Sequence, residues 1–580
     1  MGKLSLFYPI GADHDFKKMS DETFHDLAGE TLVKAVAKNE NERNLIKKVL
    51  VSVNKDPEVV AYRIEVFDDI IRFPKLRDEL QKVLERVDFL RVYGSFNKLS
   101  EACGIWELMH RMDEMREFID CVEVFYVCLQ KYPIKSRGLM ELFEYAKSLY
   151  EDSGFMELKK DIEGLKVTTS KIKSVTMGIN LNERFEAETI GIVSINSKYF
   201  SGSEMLHNFK DFIARQDEIK DSTEWKEDYN YRQARPDLNA AFRAMEESGA
   251  KVSAAANPLL MGGFVNVPYN DMSGSVMQYM ANIANSLLSR SVKHMRSVLT
   301  GHAAVDISDF SALIPELLFY IRMAEFVEKM RERGFAFCKP EVMTDTAFPS
   351  MEAVCLYNLK LAQSLYETDG KMNDIVVNDL VFDQDKLIYV LTGANRGGKT
   401  TLTQGIGGLF MLAQAGVYVP ARKFSFTPVD MIFTHFPADE DKTLDYGRLG
   451  EECKRFREMF REATDKSLIL LNETFSTTSY EEGYYIAVDA VKALRKKGPR
   501  TIYNTHMHKL GMEIDMLNEG EGKGRVESLV SASRDGVRSY KVIVAPPEGL
   551  SYARDIAEKY GVTYEMLMSD DKGETDMTES

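Results

Sequence analysis

The chain has 580 residues, of which 44% are hydrophobic and 28% charged; this is ordinary soluble-globular composition in a length that implies roughly two to four domains. A formal net charge of −16 excludes a wholly electrostatic nucleic-acid binder, though it leaves room for a local basic surface. No apolar run of about 18 residues marks a membrane span, the opening MGKLSLFYPIGADHDF lacks the apolar core and cleavage site of a secretory leader, and Cys103, Cys121, Cys128, Cys338, Cys355 and Cys453, with no Cys-x-x-Cys pair, suit free thiols in a reducing cytosol.

Residues 1 to about 370 read as mainly helical. Leu76, Leu80, Val83, Leu84, Val87 and Leu90 recur at helical spacing after Pro74. Leu142, Tyr145, Ala146, Leu149, Met156 and Leu158 repeat the pattern over 141–165. Such stripes are core faces. Residues 189–200 (TIGIVSINSKYF) are β-rich. Between 202 and 249 charge is dense. Lys226, Arg232, Arg235 and Arg243 alternate with Trp225, Tyr229, Tyr231 and Phe242, a pattern that would set cations on phosphates and rings against bases. Asp221, Glu224, Glu227, Asp228 and Asp237 share the stretch, which favours a solvated pair of mixed-charge helices. A turn-rich connector is expected at 257–270, one long helix at 276–299, another at 314–333, and a linker with Pro340 and Pro349 at 334–350.

The apolar run Leu387–Leu391 then reads as a buried strand, and it breaks into Gly393-Ala394-Asn395-Arg396-Gly397-Gly398-Lys399-Thr400. This is G-x-x-x-x-G-K-T, a phosphate-cradling loop, and Leu402, Ile406, Leu409, Phe410 and Ala413 continue it as a helix. The glycines let backbone N–H groups curl around phosphate oxygens at the helix's positive end. Lys399 is expected to bridge the β- and γ-phosphates of ATP, and Thr400, with Thr401 beside it, to offer a hydroxyl to Mg²⁺. Downstream, 467–471 is an apolar strand ending in Asn472-Glu473. Glu473 is a general base for the attacking water and a metal-side carboxylate. Asn472 stands where aspartate would be expected, so its neutral oxygen weakens metal affinity. A strand at 501–505 ends at His506, placed to sense a γ-phosphate or orient the water, whereas His508 is expected to face solvent. Two β-rich runs flank Arg534-Asp535-Gly536 as a hairpin, and 566–580 is an acidic, disordered tail.

These residues resemble the MutS-type ATPases. TGANRGGKTT is similar to the family's TGPNMGGKST, 415–421 to G-x-Y-V-P-A, 429–433 to I-D-R-I-F, LILLNETFSTTSYEEG to L-V-L-M-D-E-I-G-R-G-T-S-T-x-D-G, and Asn504-Thr505-His506 to A-T-H. Gly549 to Tyr552 with Gly561-Val562 resembles the closing S-Y-G…A-G-V helix, and Asn378 matches the adenine-side asparagine of F-x-x-N-P. Upstream, 56–70 and 178–182 resemble segments of the family's helical core. The resemblance implies an α/β ABC-type P-loop ATPase domain at 351–565, working as a homodimer with shared sites. It would follow a mainly α-helical core over 1–350 with lever helices and a clamp around 200–260.

The chain departs from the family in several places. It begins near the core, which leaves little room for a mismatch-reading domain and no place for its Phe-x-Glu wedge, and the nuclease tail of one branch is not expected. Gly447 falls where the trans-acting serine should be, and Phe475 and Ser476 replace the Gly-Arg after the catalytic glutamate. The leading expectation is a cytoplasmic, Mg-ATP-hydrolysing clamp on DNA, on branched or recombining DNA and not on simple mismatches. The alternative is an ATP-gated binding module with slow or no hydrolysis whose partner is a protein or the ribosome. A third reading is a family member with decayed ATP binding. No membrane partner is expected.

Overall fold

The computed structural model describes residues 4–13, 15–86, 105–165, 174–184, 187–196, 264–266, 289–302, 308–344, 349–393, 397–437, 447–534, 537–547, 558 and 560–567. They fall into two compact units, one made of 1–85, 124–147 and 309–580, the other of 86–123 and 148–308. The chain is mixed α/β, and its N-terminal region is mostly helical.

The first unit opens with β1 (Lys17–Lys18) and β2 (Ser52–Val53), an antiparallel pair that brackets α1 (Asp21–Asp26), α2 (Gly29–Val36) and α3 (Glu40–Leu50). Ser20 and Asn39 start α1 and α3 by accepting the N–H of the residue three positions on, which satisfies donors the helix itself cannot. Asp56 caps α4 (Pro57–Arg72) by accepting the N–H of Glu58, two positions on, and Pro57 sits in the first turn with no N–H to lose. Pro74 then opens α5 (Pro74–Arg86). Leu76 and Leu80 of the predicted stripe are fully buried, while Val87 and Leu90 lie outside the described residues. After α6 (Ile105–Lys131), which is divided between the units, the helical pattern of 141–165 divides into α7 (Arg137–Tyr150) and α8 (Ser153–Gly164), the latter within the second unit. The cause is Asp152, whose carboxylate takes the N–H groups of Gly154 and Phe155 at 2.8 and 3.2 Å and so begins a new helix.

In the second unit β3 (Ser174–Leu181) pairs antiparallel with β4 (Ala187–Asn196), which pairs in turn with β5 (Phe264–Asn266). The β-rich reading of 189–200 matches β4 through Asn196. Within the expected connector, Phe264 and Val265 supply enough β-forming side chain for a short strand amid the turn residues. The charged stretch at 202–249, and the clamp expected around 200–260, lie outside the described residues. Of the helix expected at 276–299, the described part begins at α9 (Ser289–Gly301).

The first unit resumes with α10 (Ser308–Glu332), whose buried Arg322 grips Glu42 of α3 through two bonds of 2.9 and 3.0 Å. A four-stranded sheet follows in the order β6 (Glu341–Val342), β10 (Lys423–Phe426), β7 (Met351–Leu356), β8 (Asn378–Phe382). β6 lies inside the expected linker, which the sheet therefore takes in. Beside it stands a six-stranded sheet in the order β11 (Ile432–His435), β12 (Leu468–Asn472), β13 (Arg500–Asn504), β9 (Lys386–Thr392), β14 (Arg525–Arg534), β15 (Val537–Val544). The first five run parallel, and β15 returns antiparallel as the hairpin partner of β14. Its helices are α11 (Leu359–Glu367), α12 (Lys399–Gln414), α13 (Gly447–Glu462), α14 (Tyr480–Lys497), α15 (His508–Met512) and α16 (Ile514–Leu517). Every residue of β12 and β13 is buried, as is β9 beyond Lys386. Strands covered on both faces show continuous apolar runs in place of alternation. Register sets Asn472 opposite Asn504 and Asn504 opposite Leu391, so three strands end side by side. Among the described residues no helix is long and apolar enough to cross a membrane.

Candidate functional site

The site forms where β9, β12 and β13 end. The chain leaves β9 through Gly393 at φ 137° and enters α12 through Gly398 at φ 82°. A Cβ at Gly393 would stand 2.9 Å from that of Ser531, so both the backbone angle and the space require glycine. Ser531 also donates to the Gly397 carbonyl at 2.9 Å and ties the β14–β15 hairpin to the loop. Ala394, Asn395 and Arg396 lie outside the described residues.

Lys399 is the first residue of α12. It is buried and donates from Nζ to the Gly393 carbonyl at 3.0 Å. Burial lowers its pKa, and the charge of Glu473 pulls it partly back. Thr400 is exposed and gives its hydroxyl hydrogen to Asn472 Oδ1 at 3.0 Å. Thr401 follows inside the helix, where its carbonyl accepts from Asn358 Nδ2 at 2.9 Å. Asn504 donates to the same Asn472 oxygen and reaches Thr400 Oγ1 at 3.4 Å. The other amide oxygen, Asn504 Oδ1, is buried without a hydrogen-bond partner among the described residues.

Glu473 follows β12 in a left-handed conformation, φ 53°, pinned by its N–H to the Asn504 carbonyl at 2.8 Å. Its Oε2 accepts the His506 N–H at 3.2 Å and lies 3.0 Å from His506 Nε2. Burial raises the Glu473 carboxyl above its ordinary range, opposed by Lys399 and the His506 N–H. Burial first, then the charges of Lys399 and His508, lower the His506 imidazole. Both shifts favour uncharged forms, so the contact is a hydrogen bond from a neutral ring more than an ion pair. His508 does not face open solvent as expected. It opens α15 half-buried, and its pKa is lowered by burial and by Lys399. Asn378 begins β8 on the hairpin side of the loop, donating to the Tyr540 carbonyl at 3.2 Å and accepting the Val542 N–H at 2.8 Å.

Thr400, Asn472 and Glu473 bring only oxygen donors, a set that fits Mg²⁺ completing its shell with water and phosphate. The partnerless Asn504 oxygen adds an unspent acceptor beside them. Among the described residues no group of three or more His, Cys, Asp and Glu could hold a metal ion by itself.

Several neighbours were not assigned to the site by sequence. Asn504 becomes visible only when β12 and β13 pair in register. Ser531 and Tyr540 come from a hairpin more than 130 residues downstream of the loop they touch. His435 ends β11 as His506 follows β13, and the same rule about strand ends would have marked it.

Residues 389–568 match the model of MutS domain V, and residues 55–333 match that of the MutS2 N-terminal domain. A DNA mismatch repair protein MutS of Chlorobium phaeobacteroides is 27% identical over 51% of this chain and 33% of its own length. A DNA mismatch repair protein MutS 2 of Halobacterium salinarum is 30% identical over 32% of this chain and 21% of its own. For an Endonuclease MutS2 of Thermus thermophilus the figures are 29%, 33% and 25%. The chain thus spans a third or less of the length of these curated relatives.

Proposed function

The chain belongs to the MutS family, and from that premise we propose that it binds and hydrolyses Mg-ATP to drive a DNA clamp. The domain from β7 onward works as an ABC-type P-loop ATPase, as a homodimer in the cytoplasm, on branched or recombining DNA and not on simple mismatches. The observation that carries this reading is the meeting of Lys399, Thr400, Asn472, Glu473 and His506 at the ends of three adjacent strands. The match of 55–333 to a MutS2 domain favours a DNA substrate other than a mismatch.

Lys399 leaves the Gly393 carbonyl for the β- and γ-phosphates, which the N–H groups at the start of α12 also face. Thr400 and Asn472 hold the metal side, and Mg²⁺, when bound, supplies the charge that screens the phosphates. Glu473 accepts the proton of the attacking water, and its raised pKa makes it a better acceptor once ionised. His506, neutral and bonded to Glu473, orients that water and senses the γ-phosphate. Asn378 acts on the base side of the nucleotide by fixing the Tyr540–Val542 strand.

Asn472 supports a second reading. Its neutral oxygen is already shared by Thr400 and Asn504, which suits a module that binds ATP, hydrolyses it slowly or not at all, and acts on a protein or the ribosome. Glu473→Gln separates the two. The hydrolase reading expects ATP binding to persist while turnover falls by about 100-fold or more. Unchanged turnover would remove Glu473 from the chemistry, and a wild-type chain that binds ATP without measurable turnover would favour the binding module.

A further inference from the structure

The turn after Glu473 is held in an unusual way. Glu473 at φ 53° and Phe475 at φ 65° are both left-handed, and neither is glycine. Non-glycine residues persist in that region only when their surroundings over-determine them. Here the surroundings converge on Thr474, which lies between them and is 1% exposed. Its carbonyl accepts the Tyr503 hydroxyl at 2.8 Å. Its hydroxyl oxygen lies 3.1 Å from both His435 Nδ1 and the His435 carbonyl.

His435 is 2% exposed, and its other ring nitrogen, Nε2, lies 3.2 Å from the backbone carbonyl of Glu452 in α13. A carbonyl can only accept, so Nε2 carries the ring's proton, and the single Thr474 hydroxyl hydrogen is shared between the His435 carbonyl and Nδ1. Glu452 grips the same turn with its side chain. Its carboxylate accepts the Thr477 hydroxyl at 3.0 Å and the Phe475 N–H. One residue of α13 therefore holds the turn through three bonds, one of them relayed by His435. The helix itself is lightly seated. Met459 is its only fully buried residue, and Leu449, Cys453, Phe456 and Phe460 pack partly buried on the core.

We propose that His435 and Glu452 are positioning residues that fix the Glu473 carboxylate through Thr474 and the Phe475–Thr477 turn, so that displacement of α13 switches hydrolysis without releasing the nucleotide. This rests on the assignment of Glu473 as the base. Burial and the charge of Arg455 push the His435 ring down to about 4, so the relay keeps one tautomer across the physiological range. Neither residue reaches the reacting atoms; each acts through Thr474.

The test uses the full chain and the pair Thr474→Val, which removes the hydroxyl at nearly constant volume, and Thr474→Ser, which keeps the hydroxyl and removes the methyl, with His435→Ala as a third variant. Turnover and ATP affinity are measured for each. Thr474→Val and His435→Ala should lose about 10- to 100-fold in kcat, the cost of a carboxylate displaced by a fraction of its own size, with ATP affinity unchanged. Thr474→Ser should restore kcat. Equal loss in the serine and valine variants, or parallel loss of ATP affinity, would reduce the cluster to ordinary packing and overturn the proposal. If the wild-type chain shows no turnover, the hydrolase reading fails by itself. Hydrogen exchange of the 473–478 amides then decides whether Thr474 holds the turn: faster exchange in Thr474→Val but not in Thr474→Ser supports it, and equal exchange overturns it.

Discussion

The two ends of strands β12 and β13 are built from similar polar residues and serve opposite ends. At the amino ends, Arg500 is fully buried, donates from Nη1 to the Ser350 and Thr427 carbonyls at 3.1 and 2.9 Å, and lies over the Phe410 ring. Asp430 beside it collects Ser467 at 2.7 Å, Thr464 at 3.0 Å and Lys17 at 3.0 Å. None of Arg500, Asp430, Thr464, Ser467 and Lys17 is left-handed, and the groups are shut in. At the carboxyl ends, Asn504 keeps an acceptor unspent, Thr400 is exposed, the His506 side chain is 50% exposed, and Glu473 and Phe475 are left-handed. In a parallel sheet the carboxyl ends are where loops diverge and ligands enter. The same strands are sealed at one end and left chemically available at the other.

The sharpest way to break this contrast is at Arg500. Arg500→Ala should cost about 3–5 kcal/mol of stability, because the cavity and two abandoned carbonyls are buried with it. Arg500→Met should cost less, since it fills the volume and spares Nε and Nη2, which have no partner. Thermal melts read both, and the ATP affinity of the surviving fold should be unchanged. Lys399→Ala is the mirror image. It should lower ATP affinity by about 100-fold by titration, since the loop's one ammonium supplies its charge to the phosphates. Its melting temperature should hold or rise, because burial already disfavours that ammonium.

Two smaller effects sharpen the comparison. His435 titrates near 4 in the folded chain against 6.5 for an ordinary histidine. A depressed folded pKa means its stabilising contribution is complete above about 6.5 and lost as pH falls toward 4, by at most about 1.4 kcal/mol per pH unit. Melts between pH 7 and 5 should fall more steeply for wild type than for His435→Gln. Asn472→Asp should raise Mg²⁺ affinity by about 3- to 10-fold, read by metal titration in the presence of ATP, because a full charge replaces an amide dipole.

How much of this was legible in the sequence follows from the range of each interaction. The strand before Gly393, the helix after Gly398 and the strands ahead of Glu473 and His506 were legible because each is a local apolar pattern bounded by turn residues. The hairpin around 535–536 was legible for the same reason, and Arg534 pairs directly with Val537. The break at Asp152 was missed because the apolar stripe continues through it, while the cap depends on which way one carboxylate turns. The Thr400–Asn472–Asn504 cluster was only half visible, since Asn504 joins it through strand register alone. The Glu452–His435–Thr474 relay was invisible. Its members lie 17 to 39 residues apart and share no spacing rule. His508 was misplaced because a histidine two residues past a strand has no periodicity to say which side it takes.

The measurement that tests the central claim most directly is steady-state ATP hydrolysis by the full chain, alone and with duplex, mismatched, branched and single-stranded DNA. The account expects basal turnover that branched DNA stimulates and a mismatch does not. Turnover that no DNA changes would contradict the DNA clamp and turn attention to a protein or ribosomal partner, and stimulation by mismatched duplex alone would contradict the assigned substrate.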